Sequence, residues 1–116
     1  MVQADVSRLP DLSNLVDQTV QQYGRLDIMV NNAGIETRTS TLETTEAEYD
    51  RVMNVNLKSA FFGTQFAARQ MIAQGAGGRI INISSISAQR GSPSGDVTYS
   101  ASKAGIVALT MTLARQ

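Results

Sequence analysis

The 116-residue sequence contains no cysteine and no histidine. Without cysteine, the chain has no disulfides, no thiolate nucleophile and no sulfur ligands for a metal. Without histidine, it lacks Ser-His-Asp catalysis and the commonest metal ligand. Any chemistry must therefore come from tyrosine, lysine, serine, asparagine or carboxylates, and we expect no metal site.

Strong charge of one sign and long apolar runs are missing as well. Ten basic residues balance ten acidic ones, so no strong field attracts nucleic acid or an anionic membrane. The apolar runs are far shorter than the roughly 20 residues needed to cross a bilayer. No charged stretch followed by an apolar one opens the sequence as in a secretory signal. We therefore expect a cytoplasmic protein of one small domain, without nucleic-acid or membrane partners.

Periodicity predicts helices alternating with short strands. Residues 10–23 carry apolar side chains at helical spacing, and Gly24 follows as a stop signal. The apolar runs 26–31 and 79–84 are too short for helices and are predicted to be buried strands. A third strand is expected to end within Val2–Val6.

Two further helices are predicted. Thr45 and Glu48 fit a capping box that opens a helical region running to about Gln74. The region is too long for one straight surface helix, so we expect a bend near residues 54–56. A Ser/Gly/Pro-rich loop, 85–97, leads into a last helix with two apolar faces, which are expected to be buried against the sheet and a partner helix. These faces comprise Ala104, Val107, Ala108 and Met111, and Ile106, Leu109, Thr110 and Leu113.

Strand, helix, strand, helix with apolar strands indicates an α/β fold, a three-layer Rossmann-like parallel sheet covered on both sides. The crossover between the two full strands should be right-handed. Two strands plus the end of a third make an incomplete sheet with unpaired edges and uncovered apolar faces. We therefore expect residues 1–116 to be the central part of one larger domain.

The stretch "YSASK" places Tyr99 and Lys103 four residues apart, on one face of the last helix. A tyrosine hydroxyl titrates near pH ~10, and a neighbouring ammonium favours the phenolate. Such a tyrosine can give a proton to an alkoxide or take one from an alcohol. A cofactor would have to supply the hydride for carbonyl/alcohol redox chemistry.

Four motifs follow one another along the chain. "NNAG" (31–34) closes the first strand, "NVNL" (54–57) lies in the long helix, "ISS" (83–85) closes the second strand, and "YSASK" (99–103) comes last. In order and spacing they resemble the short-chain dehydrogenase/reductase family, in its compact single-domain branch. The resemblance covers essentially the whole chain.

The resemblance implies four catalytic residues. Tyr99 would be the acid/base, and Lys103 would lower the tyrosine pKa and hold the nicotinamide ribose. Ser85 would hydrogen-bond the substrate oxygen. Asn56 would bend the helix and hold a water that links Lys103 to solvent.

The resemblance also implies an NAD or NADP cofactor, with no preference between them. Asn32, Ala33 and Gly34 would form the turn beside the adenosine ribose, and glycine there lets the backbone approach the ligand. Asp5 and Val6 would flank the adenine, while Tyr99 and Lys103 would contact the nicotinamide half. The family's N-terminal glycine-rich βαβ unit and its C-terminal substrate lid are not found in these residues. Residues 1–116 are therefore expected to form the central and catalytic part of an NAD(P)-binding Rossmann domain.

Structural alternatives remain for several positions. Asn56 could satisfy backbone groups at a helix bend, and Asp5 could cap a turn. Asn31 is interpreted as stabilising the turn and strand ends rather than contacting cofactor. Ser84 and Ser87 are interpreted as hydrogen-bonding the loop or strand end.

The function implied is NAD(P)-dependent oxidoreduction of a small carbonyl or alcohol, such as a 3-oxoacyl thioester or a sugar or polyol. The loop 86–97 should line the substrate pocket. The alternatives are an isolated fragment without turnover, a redox-inactive nucleotide-binding scaffold on the same fold, and the epimerase or dehydratase branch. A homodimer or homotetramer through the helices of residues 56–74 and 99–115 is also implied.

Overall fold

The structure, a computed structural model, describes residues 1–37 and 39–115. Within these ranges two strands alternate with helical segments, as the periodicity predicted. In chain order the elements are α1 (Leu9–Tyr23), β1 (Ile28–Asn31), α2 (Glu46–Met53), a π-helical turn (Asn54–Lys58), α3 (Ser59–Ala73), β2 (Arg79–Asn82), α4 (Ser87–Arg90) and α5 (Val97–Leu113).

The helix ends follow from local sequence signals. Gly24 ends α1 in the left-handed conformation, with φ of 78°, and its N–H donates to the Val20 carbonyl at 2.7 Å. At the start of α2, the Thr45 hydroxyl accepts from the Glu48 N–H at 3.3 Å. The Glu48 carboxylate in turn accepts from the Thr45 N–H at 3.1 Å. The predicted capping box is confirmed.

The bend predicted near residues 54–56 is a π-helical turn at Asn54–Lys58. Such single π turns interrupt α-helices frequently at functional sites. The helical region continues through α3 and is tied back to the sheet at its end. There the Gln74 side chain accepts from the Leu26 N–H at 3.0 Å and donates to the Leu26 carbonyl at 2.8 Å.

The two strands are parallel, with Ile28 opposite Arg79 and Asn31 opposite Asn82. One face of the pair packs on α3, which α1 covers in turn. The hydrophobic core lies in this layer, where buried residues from α1, α3 and the segment before β1 meet half-buried side chains of both helices and both strands. Its members are Val16, Leu26, Ala67 and Met71, with Val20, Met29, Phe66 and Ile80 packed against them.

The other face of the sheet is open in the described chain. Ile28 is 59% exposed, Val30 49% and Ile81 46%. This open face is the uncovered apolar face expected of an incomplete sheet, because α1 and α3 both lie on the opposite side. The apolar run correctly indicated strands but did not reveal whether a second layer was present. Residues 2–6 form no strand, since β1 and β2 pair only with each other within the described residues.

Helix α5 packs against α2, the π turn and α4. Gly105 allows this approach, because a Cβ at that position would lie 2.8 Å from a Leu57 methyl group. The expectation of two buried faces on α5 is wrong for the chain by itself. Of the eight side chains named for those faces only Ile106 is buried, and Met111 is 59% exposed.

The loop predicted at 85–97 contains the short helix α4. Its carboxyl end turns at Gly91, with φ of 75°, before the chain enters α5. In residues 1–37 and 39–115, no helix is both long and apolar enough to cross a membrane.

Candidate active site

Most of the predicted site residues lie where the two parallel strands end, whereas Asp5 and Val6 lie before α1. The turn 32–34 follows β1, and Ser84 and Ser85 follow β2. Because the strands are parallel, their carboxyl ends meet at one edge of the sheet, the usual place for ligands in α/β proteins. Helix α5 starts beside this edge and brings Tyr99 and Lys103 to it.

Lys103 is only 3% exposed. Its Nζ donates to the Ile83 carbonyl at 2.9 Å, and the Ser84 hydroxyl donates to the Lys103 carbonyl at 2.8 Å. Side chain and backbone of the lysine are thus both tied to the end of β2. Burial lowers the pKa of the Lys103 ammonium, because desolvation penalises its charged form.

Tyr99 is half-buried in the first turn of α5. The Nζ of Lys103 lies 5.7 Å from the centroid of its ring. At this distance the ammonium is attracted by the face of the ring. The spacing of "YSASK" therefore brings the two side chains together as predicted.

Gly34 lies directly against the lysine head group. A Cβ at this position would sit 3.2 Å from Lys103 Nζ and 3.7 Å from Asn56 Oδ1. The missing side chain leaves room for Lys103, while the approach of the Gly34 backbone to a ligand stays a prediction. Asn32 and Ala33, in the same turn, are exposed.

Asn56 is 1% exposed and joins three segments. Its Oδ1 accepts from the Ile35 N–H at 2.8 Å, and its Nδ2 donates to the Ile35 carbonyl at 2.8 Å. The same Nδ2 donates to the Ser102 hydroxyl at 2.9 Å, which itself donates to the Tyr99 carbonyl at 2.7 Å. The side chain therefore serves the backbone of the loop after β1, rather than the bend on which it lies.

Ser85 is half-buried just beyond β2. Its Oγ accepts from the Ser87 N–H at 3.2 Å, a bond that fixes the hydroxyl oxygen without using its proton. The proton can thus be donated to an oxygen placed at this edge. Ser84 and Ser87 were interpreted as hydrogen-bonding the loop or strand end; the Ser84 hydroxyl instead bonds the Lys103 carbonyl of α5, and Ser87 contributes only its backbone N–H to Ser85 Oγ.

Asp5 and Val6 lie in the turn that precedes α1. Asp5 Oδ1 accepts from the Ser7 hydroxyl at 2.7 Å and from the Ser7 N–H at 3.0 Å. These two bonds, the hydroxyl first, lower the pKa of the exposed Asp5 carboxyl. Asp5 thus caps a turn, and the described hydrogen bonds do not connect it to Tyr99 or Lys103.

Two buried polar residues of the site were missed from the sequence, Ser102 and Asp96. Asp96 is 3% exposed. Its Oδ1 accepts from the Tyr99 N–H at 2.8 Å and its Oδ2 from the Thr37 N–H at 2.6 Å. An aspartate three residues before Tyr99 is an N-cap signal that sequence reasoning could have used. The contact with Thr37, 59 residues away, carries no local signal.

Asn31 makes contacts inside the protein. Its Nδ2 donates to Asn82 Oδ1 at 2.8 Å and to the Thr64 hydroxyl at 3.1 Å. Asn82 continues the network by donating to the Thr110 hydroxyl at 3.0 Å. These bonds agree with the interpretation that Asn31 stabilises the strand ends.

Comparison with known proteins shows which family the chain resembles. The family model described as short chain dehydrogenase matches residues 1–116. The chain is 43% identical over 116 residues to the 2-dehydro-3-deoxy-D-gluconate 5-dehydrogenase of Escherichia coli, covering 97% of this chain and 44% of that protein. It is 40% identical over 112 residues to the 3-oxoacyl-[acyl-carrier-protein] reductase FabG of Thermotoga maritima, covering 97% of this chain and 45% of that protein. The chain thus spans less than half the length of these curated relatives.

Solved structures of other proteins share the fold of this chain. A short-chain type dehydrogenase/reductase from Mycobacterium marinum superposes with a TM-score of 0.94 at 34% identity, covering 98% of this chain and 45% of that chain. A short chain dehydrogenase from Mycobacterium smegmatis gives a TM-score of 0.91 at 38% identity, covering 97% and 46% respectively. The Rossmann-like fold is confirmed, and the chain belongs to the short chain dehydrogenase family.

Proposed function

We propose that these residues form the catalytic segment of an NAD(P)-dependent oxidoreductase acting on a carbonyl or secondary alcohol. The observation that carries the proposal is the buried Lys103 ammonium, held by Ile83 at 2.9 Å and placed 5.7 Å from the Tyr99 ring. A lysine this deeply buried is costly to hold. Its position beside a half-buried tyrosine at the strand ends supports a role for the pair in proton transfer.

The residues present fit a nicotinamide dinucleotide. Lys103 Nζ has three N–H donors, of which Ile83 takes one, so two are available for ribose hydroxyls. The exposed turn of Asn32, Ala33 and Gly34 offers backbone to the cofactor beside this lysine. When bound, the nicotinamide supplies or accepts the hydride. We propose no preference between NAD and NADP.

Proton movement falls to the chain itself. Tyr99 would donate its proton to the oxygen of a carbonyl substrate, or take it from an alcohol in the reverse direction. Ser85 would donate its free hydroxyl proton to the same oxygen and orient it. Lys103 would stabilise the phenolate left on Tyr99, and Asn56 would keep α5 in place through Ser102.

The substrate is proposed as a small polar carbonyl compound or its alcohol. The E. coli relative is named for a sugar acid and the T. maritima relative for a 3-oxoacyl thioester. The loop 86–97 is rich in small polar side chains, and Ser92 and Ser94 hydrogen-bond each other there at 2.7 Å. Those side chains favour the sugar-acid class over a long acyl chain. A redox-inactive scaffold is disfavoured because all four catalytic positions are filled.

We also propose self-association through the helices of residues 56–74 and 99–115. Apolar side chains on both are open to solvent in the single chain, including Phe61 at 44%, Ile72 at 79% and Met111 at 59% exposure. An exposed apolar surface shared by two neighbouring helices is typical of an interface between protein chains.

The decisive experiment is the substitution Tyr99→Phe in the native protein, which here means the natural polypeptide that contains these residues. We expect kcat to fall by about 10²–10⁴-fold, the usual contribution of a general acid/base. Cofactor affinity should remain nearly unchanged, because only the hydroxyl is lost. Tyr49→Phe, on the exposed surface of α2, is the matched control and should leave turnover intact.

Turnover is followed as NAD(P)H absorbance with a sugar-acid ketone and with a 3-oxoacyl thioester, and cofactor affinity by titration of protein fluorescence. Substantial residual turnover in Tyr99→Phe would exclude the acid/base role. The absence of both turnover and cofactor binding in the unmodified protein would support the scaffold or fragment alternative.

A further inference from the structure

A buried carboxylate connects the catalytic helix to the turn beside Lys103. Asp96 is 3% exposed, and each of its two oxygens accepts one backbone N–H. One N–H belongs to Tyr99 in the first turn of α5, at 2.8 Å. The other belongs to Thr37 in the segment after β1, at 2.6 Å. A single side chain thus fixes two segments that are far apart in sequence.

The segment 32–37 depends on this bond. Thr37 is 4% exposed, so water has little access to its N–H, and Asp96 is the acceptor that the described structure provides. Ile35 lies two residues before Thr37, and the Asn56 side chain hydrogen-bonds both its N–H and its C=O. Between this anchored stretch and β1 lies Gly34, whose Cα faces the Lys103 ammonium. The position of the turn relative to Lys103 is therefore set by two side chains, Asn56 and Asp96.

We infer that Asp96 is a positioning residue of the proposed reaction. It holds the turn 32–34 and the start of α5 at one fixed spacing, so that the proposed cofactor contacts and the Tyr99/Lys103 pair form a single site. This inference rests on the proposed function. Without the bridge, the helix could still form, but the turn would be free to move away from Lys103.

The alternative role is that of a simple helix cap, and substitutions separate the two. In Asp96→Ser the hydroxyl can still cap the Tyr99 N–H, since serine is a good N-cap. Its single oxygen cannot also reach Thr37. Asp96→Asn keeps the side-chain shape but offers only one acceptor for two donors. Asp96→Ala removes both bonds.

The experiment measures kcat, cofactor KM and thermal midpoint in the native protein for these three variants. We expect Asp96→Ser to recover most of the thermal stability lost in Asp96→Ala. The cofactor KM should nevertheless stay raised by about ten-fold in both variants, as expected for losing a hydrogen bond to a charged group. Thr45→Ala is the matched control, because it removes the cap of α2, which lies outside the proposed site. It should lower the thermal midpoint and leave the cofactor KM unchanged.

Each outcome has one meaning. If Asp96→Ser restores the cofactor KM together with stability, Asp96 is only a cap and the inference is overturned while the proposed function stands. If the unmodified protein neither turns over nor binds NAD(P), the proposed function fails and the inference fails with it. Circular dichroism reports the folded fraction of each variant. Should Asp96→Ala fail to fold, Asp96→Asn and Asp96→Ser provide the same comparison.

Discussion

The Asn56 side chain should contribute more to the free energy of unfolding than Asn54, the other asparagine of the π turn. Asn56→Ala leaves the N–H and C=O of Ile35 without their partner. A buried polar group left without a partner costs about 1–3 kcal/mol. Ile35 is half-buried, so partial access to water keeps both costs near the lower end. Ser102 keeps its own bond to Tyr99 and adds little. We expect a loss of about 2–4 kcal/mol in the free energy of unfolding.

The matched control is Asn54→Ala. Asn54 is half-buried in the same π turn, and its side chain forms no hydrogen bond with the described residues. Urea unfolding of the native protein, followed by circular dichroism, compares the two variants with the unmodified protein. With a slope of about 2 kcal/mol per molar urea, the middle of the usual range, Asn56→Ala should lower the midpoint by about 1–2 M. A loss below about 1 kcal/mol, or one equal to that of Asn54→Ala, would refute the view that this amide holds the loop after β1.

Two further predictions concern the last helix. Because burial lowers the pKa of Lys103 below 10.5, the unfolded chain binds more protons just below that pH, and stability should rise as pH approaches 10.5 from below. Lys103→Met should remove part of this rise in unfolding curves recorded at several alkaline pH values; equal slopes in both proteins would contradict the assignment. Val107→Asp should weaken the proposed self-association by placing a charge in an apolar contact, and unchanged assembly in sedimentation velocity would exclude α5 from the interface.

Local signals predicted the order of the two strands and the long helices, together with the end of α1 and the start of α2, but not the short helix α4. Gly24 and the Thr45/Glu48 capping box act within one helical turn, so their effect is independent of the rest of the fold. The bend near Asn56 was predicted because the helical pattern was too long for one surface helix. The π-helical form of that bend was not predicted, because the hydrophobic pattern indicates a bend without specifying its hydrogen bonding.

Burial was predicted less well, for a physical reason. An apolar run such as 79–84 indicates that a strand is suited to the interior, but burial requires a second layer of structure to cover it. In the described residues Ile81 remains 46% exposed because both packing helices lie on the opposite face. Similarly, the apolar positions of α5 were read as buried, whereas Met111 is open to solvent in the single chain.

The site itself shows why isolated motifs are weak signals and their combination is a strong one. Each motif is completed by a residue of another motif or its neighbour. Gly34 of "NNAG" leaves space for Lys103 of "YSASK", and Lys103 in turn is held by Ile83 of "ISS". Asn56 of "NVNL" serves Ile35, just beyond "NNAG", and reaches "YSASK" through Ser102.

These contacts connect segments far apart in the chain. The Ile35–Asn56 pair is separated by 21 residues and the Asn56–Ser102 pair by 46. A substitution in one motif therefore leaves a buried polar group of another motif without its partner, or crowds Lys103. The stabilities of the motifs are thus coupled. A chain that keeps all four motifs in order consequently specifies one arrangement of Tyr99 and Lys103. Any single motif is compatible with many arrangements, because the groups that would complete it are missing.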